Sequence, residues 1–400
     1  RAEVIYAQLS EEYKDAYFQL VLFPVKASAN LNELYVSAAK NNLYAEQGRA
    51  SANLYAEKTK ELFEKDAELT EHYHTELADG KWNHMMSQTH IGYTYWQQPD
   101  QNNMPEVRKI NLPEEAEMGV AAQGSENVYS RNGAKVSLPV FDPFNDQEFY
   151  VEVFNRGQES FQYKIQKKPS WIEISEEKGI IEDQKRLFVK VNWDKAPKGQ
   201  ALASFRIKGG GDRVTVEVPI NNPERNLKGF VESNGYISME AANFSENNKV
   251  NGMGWQLIPN LGRTESAMAS YPGEPTQQEI SENNPYLAYN FHNFSGGEVE
   301  VEFYLSPTLD FRNQGGLEFG YSIDNGEPQV INMHGQTKDN WNTSVANNIT
   351  KVRTTINLEP GNHTLKVWAM ESGIVLQKIV VRTGEEKESY LGPTESAKVK

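Results

Sequence analysis

The stretch QTHIGYTYWQQPDQNNMP, from Gln88 to Pro105, gathers the side chains of this chain best suited to handling a polar ligand. Tyr93, Tyr95 and Trp96 carry apolar ring faces with polar tips, His90 and Gln97 add hydrogen-bonding groups, and Pro99 and Pro105 fix the backbone path. Sugars present apolar C–H faces that stack on aromatic rings, and hydroxyls that need both donors and acceptors. The pattern therefore suits saccharide recognition. The same rings would also serve to cap a hydrophobic core against a following domain.

Other chemistry is harder to place. A glycosidase needs two carboxyl groups flanking the scissile bond, about 6.5–9.5 Å apart in an inverting enzyme. Glu61, Glu64, Glu68 and Glu71 alternate with lysines as a solvated helix face, and Asp142 and Asp146 sit around Pro143 as turn formers. No catalytic residue is assigned. His72-x-His74 on a helix points its rings roughly 200° apart, and no HExxH spacing joins His72, His74, His84 or His90, so no metal ligand is assigned either. Gly209-Gly210-Gly211 lies between two strand patterns and reads as a loop, not a phosphate cradle.

These residues must be held by elements. The chain has 400 residues, no cysteine, a net charge of −15 and a pI near 5.1. The length predicts two to four self-sufficient domains without disulfides. The acidic balance, with lysines interleaved among glutamates, argues against a nucleic-acid partner. No apolar run has the length of a membrane span, and residues 1–20 lack a signal-peptide pattern. The chain opens without Met in an amphipathic stretch, which reads as a processed or truncated start.

Residues 1–105 are expected to form an antiparallel helical bundle. Tyr13, Tyr17, Leu20 and Val21 recur on one helix face before Pro24, which should kink or end that helix. Asn30 and Glu33 have the spacing of a variant capping box, followed by a stripe of Leu31, Leu34, Tyr35 and Ala38. A third helix is expected from Ala50 to Leu77, burying Tyr55, Leu62, Leu69 and Tyr73, with Asp79-Gly80 as its stop. After a connector over 106–126 the period falls to two. VEVFNRG, WIEIS, RLFVKVNW, ASFRIKG and RVTVEVPI predict a small antiparallel sandwich over 127–222, with Trp171 and Trp193 in its core. NNPERN is a linker at 221–226, and residues 223–390 predict a larger sandwich in which Asn325-Gly326 takes positive φ in a hairpin turn. Residues 391–400 form a tail. The fold class is thus multidomain, α then β: a helical bundle followed by two antiparallel β-sandwiches.

YFQLVLFPVKASANLNELY, NNLYAEQGRASAN, QTHIGYTYWQQPDQNNMP and SYLGPTES resemble segments of glycoside hydrolase family 115, the xylan α-1,2-glucuronidases. The resemblance implies a C-terminal portion whose catalytic barrel lies upstream of Arg1. It places Tyr93, Tyr95, Trp96, His90 and Gln97 near substrate, and makes Asn42, Tyr44 and Arg49 of KNNLYAEQGR candidates for bracing the barrel. The implied partners are xylan or glucuronoxylan oligosaccharides, the missing barrel and a second copy in a homodimer, with no nucleic acid and no membrane. The implied setting is the bacterial periplasm or exterior. Residues 127–222 also resemble an immunoglobulin-like, Bacteroidetes-associated carbohydrate-binding module through the WI-x-I-S strand. The last domain resembles, more distantly, carbohydrate-binding modules of families 6 and 35, which often hold a structural calcium. Glu240 matches one ligand of that ion, but Gln377 stands where an aspartate is expected, and no cofactor is assigned. The rival expectation is a carbohydrate-binding or structural assembly with no hydrolase activity.

Overall fold

A computed structural model describes residues 1–94, 98–223, 227–250, 252–271, 280, 284–338, 340–385 and 388–399. By contacts the chain divides into two compact units. The first holds residues 1–138, 148–190 and 203–218, and the second holds 139–147, 191–202 and 219–400. No helix among the described residues is long and apolar enough to cross a membrane.

The first unit opens with α1 (Ala2–Gln8) and α2 (Glu11–Tyr17), then a π-helical turn over Phe18–Leu22 that runs straight into α3 (Phe23–Glu46). A π turn holds one residue more than an α turn and so rotates whatever follows. The buried side chains are accordingly Phe18, Leu22 and Phe23, while Tyr13, Leu20 and Val21 of the expected stripe stand exposed. Pro24 does not end a helix. It lies just after the π turn, and the backbone stays helical on both sides of it. Asn30 is no cap either. It is buried mid-helix and donates from Nδ2 to the carbonyl of Leu62 at 2.8 Å.

The antiparallel partner is α4 (Ala52–Thr75), which buries Leu62, Leu69 and Tyr73 as its period demands. Phe23 and Tyr73 meet with ring centroids 4.5 Å apart. Positive φ at Ala78, Asp79 and Gly80 closes the helical region.

Two asparagines bind the extended chain beyond it. Asn41 donates to the Arg108 carbonyl at 2.8 Å and accepts its N–H at 2.7 Å. Asn53 does the same for Ile110, at 3.0 and 2.9 Å. Each amide thus imitates a neighbouring β-strand, and the helices extend their hold toward the sheet region.

The small sandwich starts earlier than expected, inside the connector. Its strands are β1 (Met118–Ala122), β2 (Lys135–Ser137), β3 (Phe149–Asn155), β4 (Phe161–Gln166), β5 (Ile172–Ile174), β6 (Lys178–Ile181), β7 (Gln184–Val191), β8 (Gly199–Gly209) and β9 (Asp212–Asn222). One sheet has the order β1-β3-β7-β5 and the other β2-β9-β8-β4-β6. Gly210 and Gly211, both at positive φ, make the tight turn between β8 and β9. The core includes Val151, Val153, Ile172, Leu187, Val189, Phe205 and Ile207. Trp171 and Trp193 are not in it. Both are half-buried, because each lies at the end of a strand, where the alternation that selects inward positions has lapsed.

The second unit is built on β10 (Gly229–Val231), β11 (Tyr236–Glu240), β12 (Glu246–Asn248), β13 (Gly254–Ile258), β14 (Ala267–Tyr271), β15 (Tyr286–Asn293), β16 (Gly297–Leu305), β17 (Glu318–Ile323) and β18 (Gln329–Asn332). After α5 (Trp341–Asn347) come β19 (Thr350–Leu358), β20 (Gly361–Ala369), β21 (Val375–Arg382) and β22 (Lys398–Val399). One sheet runs β18-β17-β20-β15-β10-β22, with β12 also on β15; the other runs β13-β14-β21-β16-β19, with β11 also on β21. A continuous apolar core that includes Trp255, Phe291, Phe303 and Phe319 fills the space between them. The β17–β18 hairpin forms as expected, but positive φ falls on Asp324 and not on Asn325-Gly326.

Candidate functional site

Ile91 is buried against Leu34 and Leu62, and this hydrophobic pin starts the Gln88–Pro105 loop. Asn102 Oδ1 accepts the backbone N–H groups of His90 and Ile91 at 2.9 and 3.0 Å. Asn103 N–H donates to the Ile91 carbonyl at 3.0 Å, and Thr89 Oγ1 donates to the Pro99 carbonyl at 2.5 Å. Gly92 N–H donates to the Tyr35 hydroxyl at 3.0 Å. Both legs of the loop are therefore fixed. Tyr93 is 39% exposed. Tyr95, Trp96 and Gln97 lie outside the described residues.

His90 serves as the second pin. Its Nε2 lies 2.9 and 3.0 Å from the two carboxylate oxygens of Asp66, and its Nδ1 lies 3.1 Å from the Gln88 carbonyl. Both partners are acceptors, so both ring nitrogens serve best as donors, the pattern of an imidazolium. Burial works against that charge, but the bond to Asp66 and the Gln88 carbonyl outweigh it and raise the pKa above the usual histidine value. With both nitrogens engaged, His90 positions the loop and has no free donor for a sugar. Beside it runs a groove of about 470 Å³ whose walls include Phe23, Leu69, Met85, Met86, Tyr93 and His90.

Asp66 was not among the residues singled out from sequence. The signal was present: Asp66 stands in the buried stripe of α4 between Leu62 and Leu69, where an unpaired carboxylate would be costly. Such a position demands a cationic or donor partner.

The expected bracing residues face inward. Tyr44 and Arg49 are both buried, and the guanidinium lies between the rings of Tyr44 and Phe154, 4.2 and 4.0 Å from their centroids. Arg49 pairs with Glu152 at 2.8 Å and donates to Gln47 Oε1 at 2.5 Å. Tyr44 and Arg49 thus brace the helices against β3 instead of reaching an outside barrel. Asn42 is half-buried and holds the Glu106 carbonyl at 3.2 Å.

At the expected cation position, Glu240 meets the buried ammonium of Lys378 at 3.0 Å, and Lys378 also donates to the Pro393 carbonyl at 2.9 Å. Gln377 accepts the Arg263 N–H at 3.1 Å and donates to Ser306 Oγ at 3.0 Å. A protein cation thus lies against the carboxylate matched to the ion. Among the described residues no group of three or more His, Asp or Glu side chains is arranged to hold a metal.

Helices are thus followed by two sandwiches of mostly antiparallel strands, with Tyr93 exposed on a loop anchored at His90 and Asn102. Residues 229–395 match the family model described as Glycosyl hydrolase family 115 C-terminal domain. No curated protein matches the chain by sequence. Similar solved structures include a family GH115 4-O-methyl-α-glucuronidase with specificity for decorated arabinogalactans, at 16% identity and a TM-score of 0.48, covering 96% of this chain and 31% of that one. This chain therefore spans under a third of that enzyme's length. Others are the C-terminal family 6 carbohydrate-binding module of a laminarinase from Zobellia galactanivorans (16% identity, TM-score 0.25, 37% of this chain and 98% of that one). A family 35 module from Clostridium thermocellum is similar at 16% identity and a TM-score of 0.26, over 36% of this chain and 97% of that one.

Proposed function

We propose that the chain is the non-catalytic C-terminal portion of a xylan α-1,2-glucuronidase, which hydrolyses the bond joining glucuronic acid, or its 4-O-methyl ether, to xylan. The observation that supports this reading is the match to the family 115 C-terminal domain over 229–395. The catalytic carboxylates then come from a barrel N-terminal to this chain, and the loop around Tyr93 forms part of the uronic-acid pocket. An apolar face on the helical run suits burial by that barrel: Leu20 is 73% exposed, with Val21 and Val25 beside it. The sandwiches retain the enzyme on polysaccharide or join it to a second copy, in the periplasm or outside the cell where the polymer is met.

The test compares this chain alone with the same chain joined to its upstream barrel, measuring glucuronic acid released from glucuronoxylan and from decorated arabinogalactan. The chain alone should release none. In the joined protein, Tyr93→Ala should lower kcat/KM by about 1–3 kcal/mol equivalent while leaving Tm in place, as for a contact made to substrate. Turnover by the chain alone, abolished by mutating one of its own acids, would refute the reading.

A further inference from the structure

The outer face of the β2-β9-β8-β4-β6 sheet concentrates positive charge in a chain whose net charge is −15. Lys178 on β6 stands directly opposite Lys164 on β4, and Lys164 stands opposite Lys208 on β8. All three are exposed, as is Arg213 on β9, just past the Gly210-Gly211 turn. At about 4.8 Å between strands, the three lysine Cα atoms span only about 10 Å. Like charges set opposite one another destabilise a sheet. Other exposed lysines of this unit meet a carboxylate, as Lys58 meets Glu33 and Lys135 meets Glu217. Among the described residues no carboxylate pairs with Lys164, Lys178, Lys208 or Arg213.

A row of cations without counter-charge calls for an anionic partner, and its surroundings select the kind. The rings on these strands, Phe161, Tyr163 and Phe205, are buried in the core, so they offer no face on which a sugar or a base could stack. Beside the lysines stands Ile180, opposite Gln162 and 56% exposed. Lysines around an exposed aliphatic group suit a lipid surface. The ammonium groups reach headgroup phosphates while their stems and the aliphatic side chain lie at the acyl boundary. Net negative charge is no obstacle to this. Screening confines attraction to about 8 Å at physiological salt, so the acidic remainder of the molecule serves to turn this face forward.

We propose that this sheet face docks on a membrane surface carrying anionic lipid headgroups, with Lys164, Lys178, Lys208 and Arg213 against the phosphates and Ile180 at the interface. The contact is peripheral and needs no membrane-spanning helix. It rests on residues of the first unit alone and not on the proposed hydrolase.

The test sediments the full chain with vesicles of phosphatidylcholine alone, or with about one third phosphatidylglycerol, at about 0.05 and 0.5 M salt. The sequence has no cysteine, so Ile180→Cys also takes a single environment-sensitive fluorophore. The chain should bind only the phosphatidylglycerol vesicles, lose them at high salt, and shift the emission of the label to the blue. Each basic residue near an anionic surface contributes about fivefold to partitioning. Lys164→Gln should therefore cost about fivefold, and the same change at Lys164, Lys178 and Lys208 together about a hundredfold. The Tm of the triple variant should equal or exceed that of wild type, because the opposed charges are gone. Lys58→Gln on α4 should leave binding unchanged. No binding at low salt, equal binding to both kinds of vesicle, or undiminished binding by the triple variant overturns the proposal. So does retention on glucuronoxylan, or association of the chain with itself, that is lost in the triple variant while no vesicle is bound. Because the readout involves no hydrolysis, failure here leaves the proposed function standing, and failure of that function leaves this surface untouched.

Discussion

At the scale of single residues, the first unit depends on two charged pins. Asp66 holds His90 in its charged form, and a histidine whose folded pKa is raised adds stability that is fully present below its unfolded pKa and lost as pH rises through the folded value. In Asp66→Asn that increment disappears, at about 1–2 kcal/mol because His90 is partly solvated. Thermal melts from about pH 5 to about pH 9 should therefore show wild type and variant separated in acid and converging in alkali; a gap independent of pH would contradict the imidazolium pin. Arg49 is the other pin. Burial raises the pKa of Glu152, but Arg186 and Arg49 outweigh it and hold the carboxylate below its usual value. This pairing stabilises the fold above the unfolded pKa of Glu152 and is lost as pH falls through the folded one. Arg49→Ala should cost about 3 kcal/mol in urea unfolding. Arg49→Lys should rescue little, since an ammonium can neither stack between Tyr44 and Phe154 nor reach Gln47 and Glu152 together. A lysine variant as stable as wild type would mean that charge alone matters there.

At the scale of elements, what could be read from sequence depended on contrast. In α4 the apolar Leu62, Leu69 and Tyr73 stand against Lys58, Lys60, Glu64 and Glu68, so the buried face was plain. In YFQLVLFPV nearly every position is apolar, so periodicity could not select a face, and the π turn then moved the choice to Phe18, Leu22 and Phe23. Asn30 and Glu33 have a cap's spacing, but only the tertiary structure reveals that Asn30 is needed at Leu62. The strands were legible because alternation in runs such as RVTVEVPI admits one reading. The aromatic loop stood out by its composition; the roles of its anchors, Asp66 and Asn102, did not, because they act across sequence distances that no local pattern encodes. Asn41 and Asn53 show the same limit and permit a test. If their amides substitute for a β-neighbour, Asn41→Ala should cost about 1–2 kcal/mol and speed hydrogen exchange at the Arg108 amide while sparing Ile110, and Asn53→Ala should do the converse. Unchanged exchange in both would assign the order of this segment to packing alone.

At the scale of the whole molecule, the sequence suggested successive domains, whereas the chain contributes to its compact units in alternation. The family match begins at 229, but the second unit also recruits 139–147 and 191–202. Hydrogen bonding within that unit gives the physical reason. Ser233 Oγ donates to Asp142 at 2.7 Å, Gln147 donates to Ser233 at 3.0 Å, and Val140 N–H donates to Asn234 Oδ1 at 2.9 Å. Ala397 N–H donates to Asn145 Oδ1 at 3.0 Å, close to β22. Asp142 is itself buried and also accepts the N–H groups of Phe144 and Asn145, at 2.9 and 3.1 Å, so the 139–147 turn is a rigid piece of that unit and not a passive spacer. A fragment spanning 227–400 alone lacks these partners, and at about 0.5–1.5 kcal/mol for each of the four bonds it should lose about 2–6 kcal/mol relative to the same unit in the full chain. Hydrogen exchange at the Phe291 and Val381 amides, on β15 and β21, reports that difference without confusion from the other unit. The full chain should protect both amides more strongly, and Asp142→Ala in the full chain should recover part of the fragment's loss of protection. Equal protection in fragment and full chain would show that the family's domain is self-sufficient from residue 229 onward, and that the recruited segments merely rest against it.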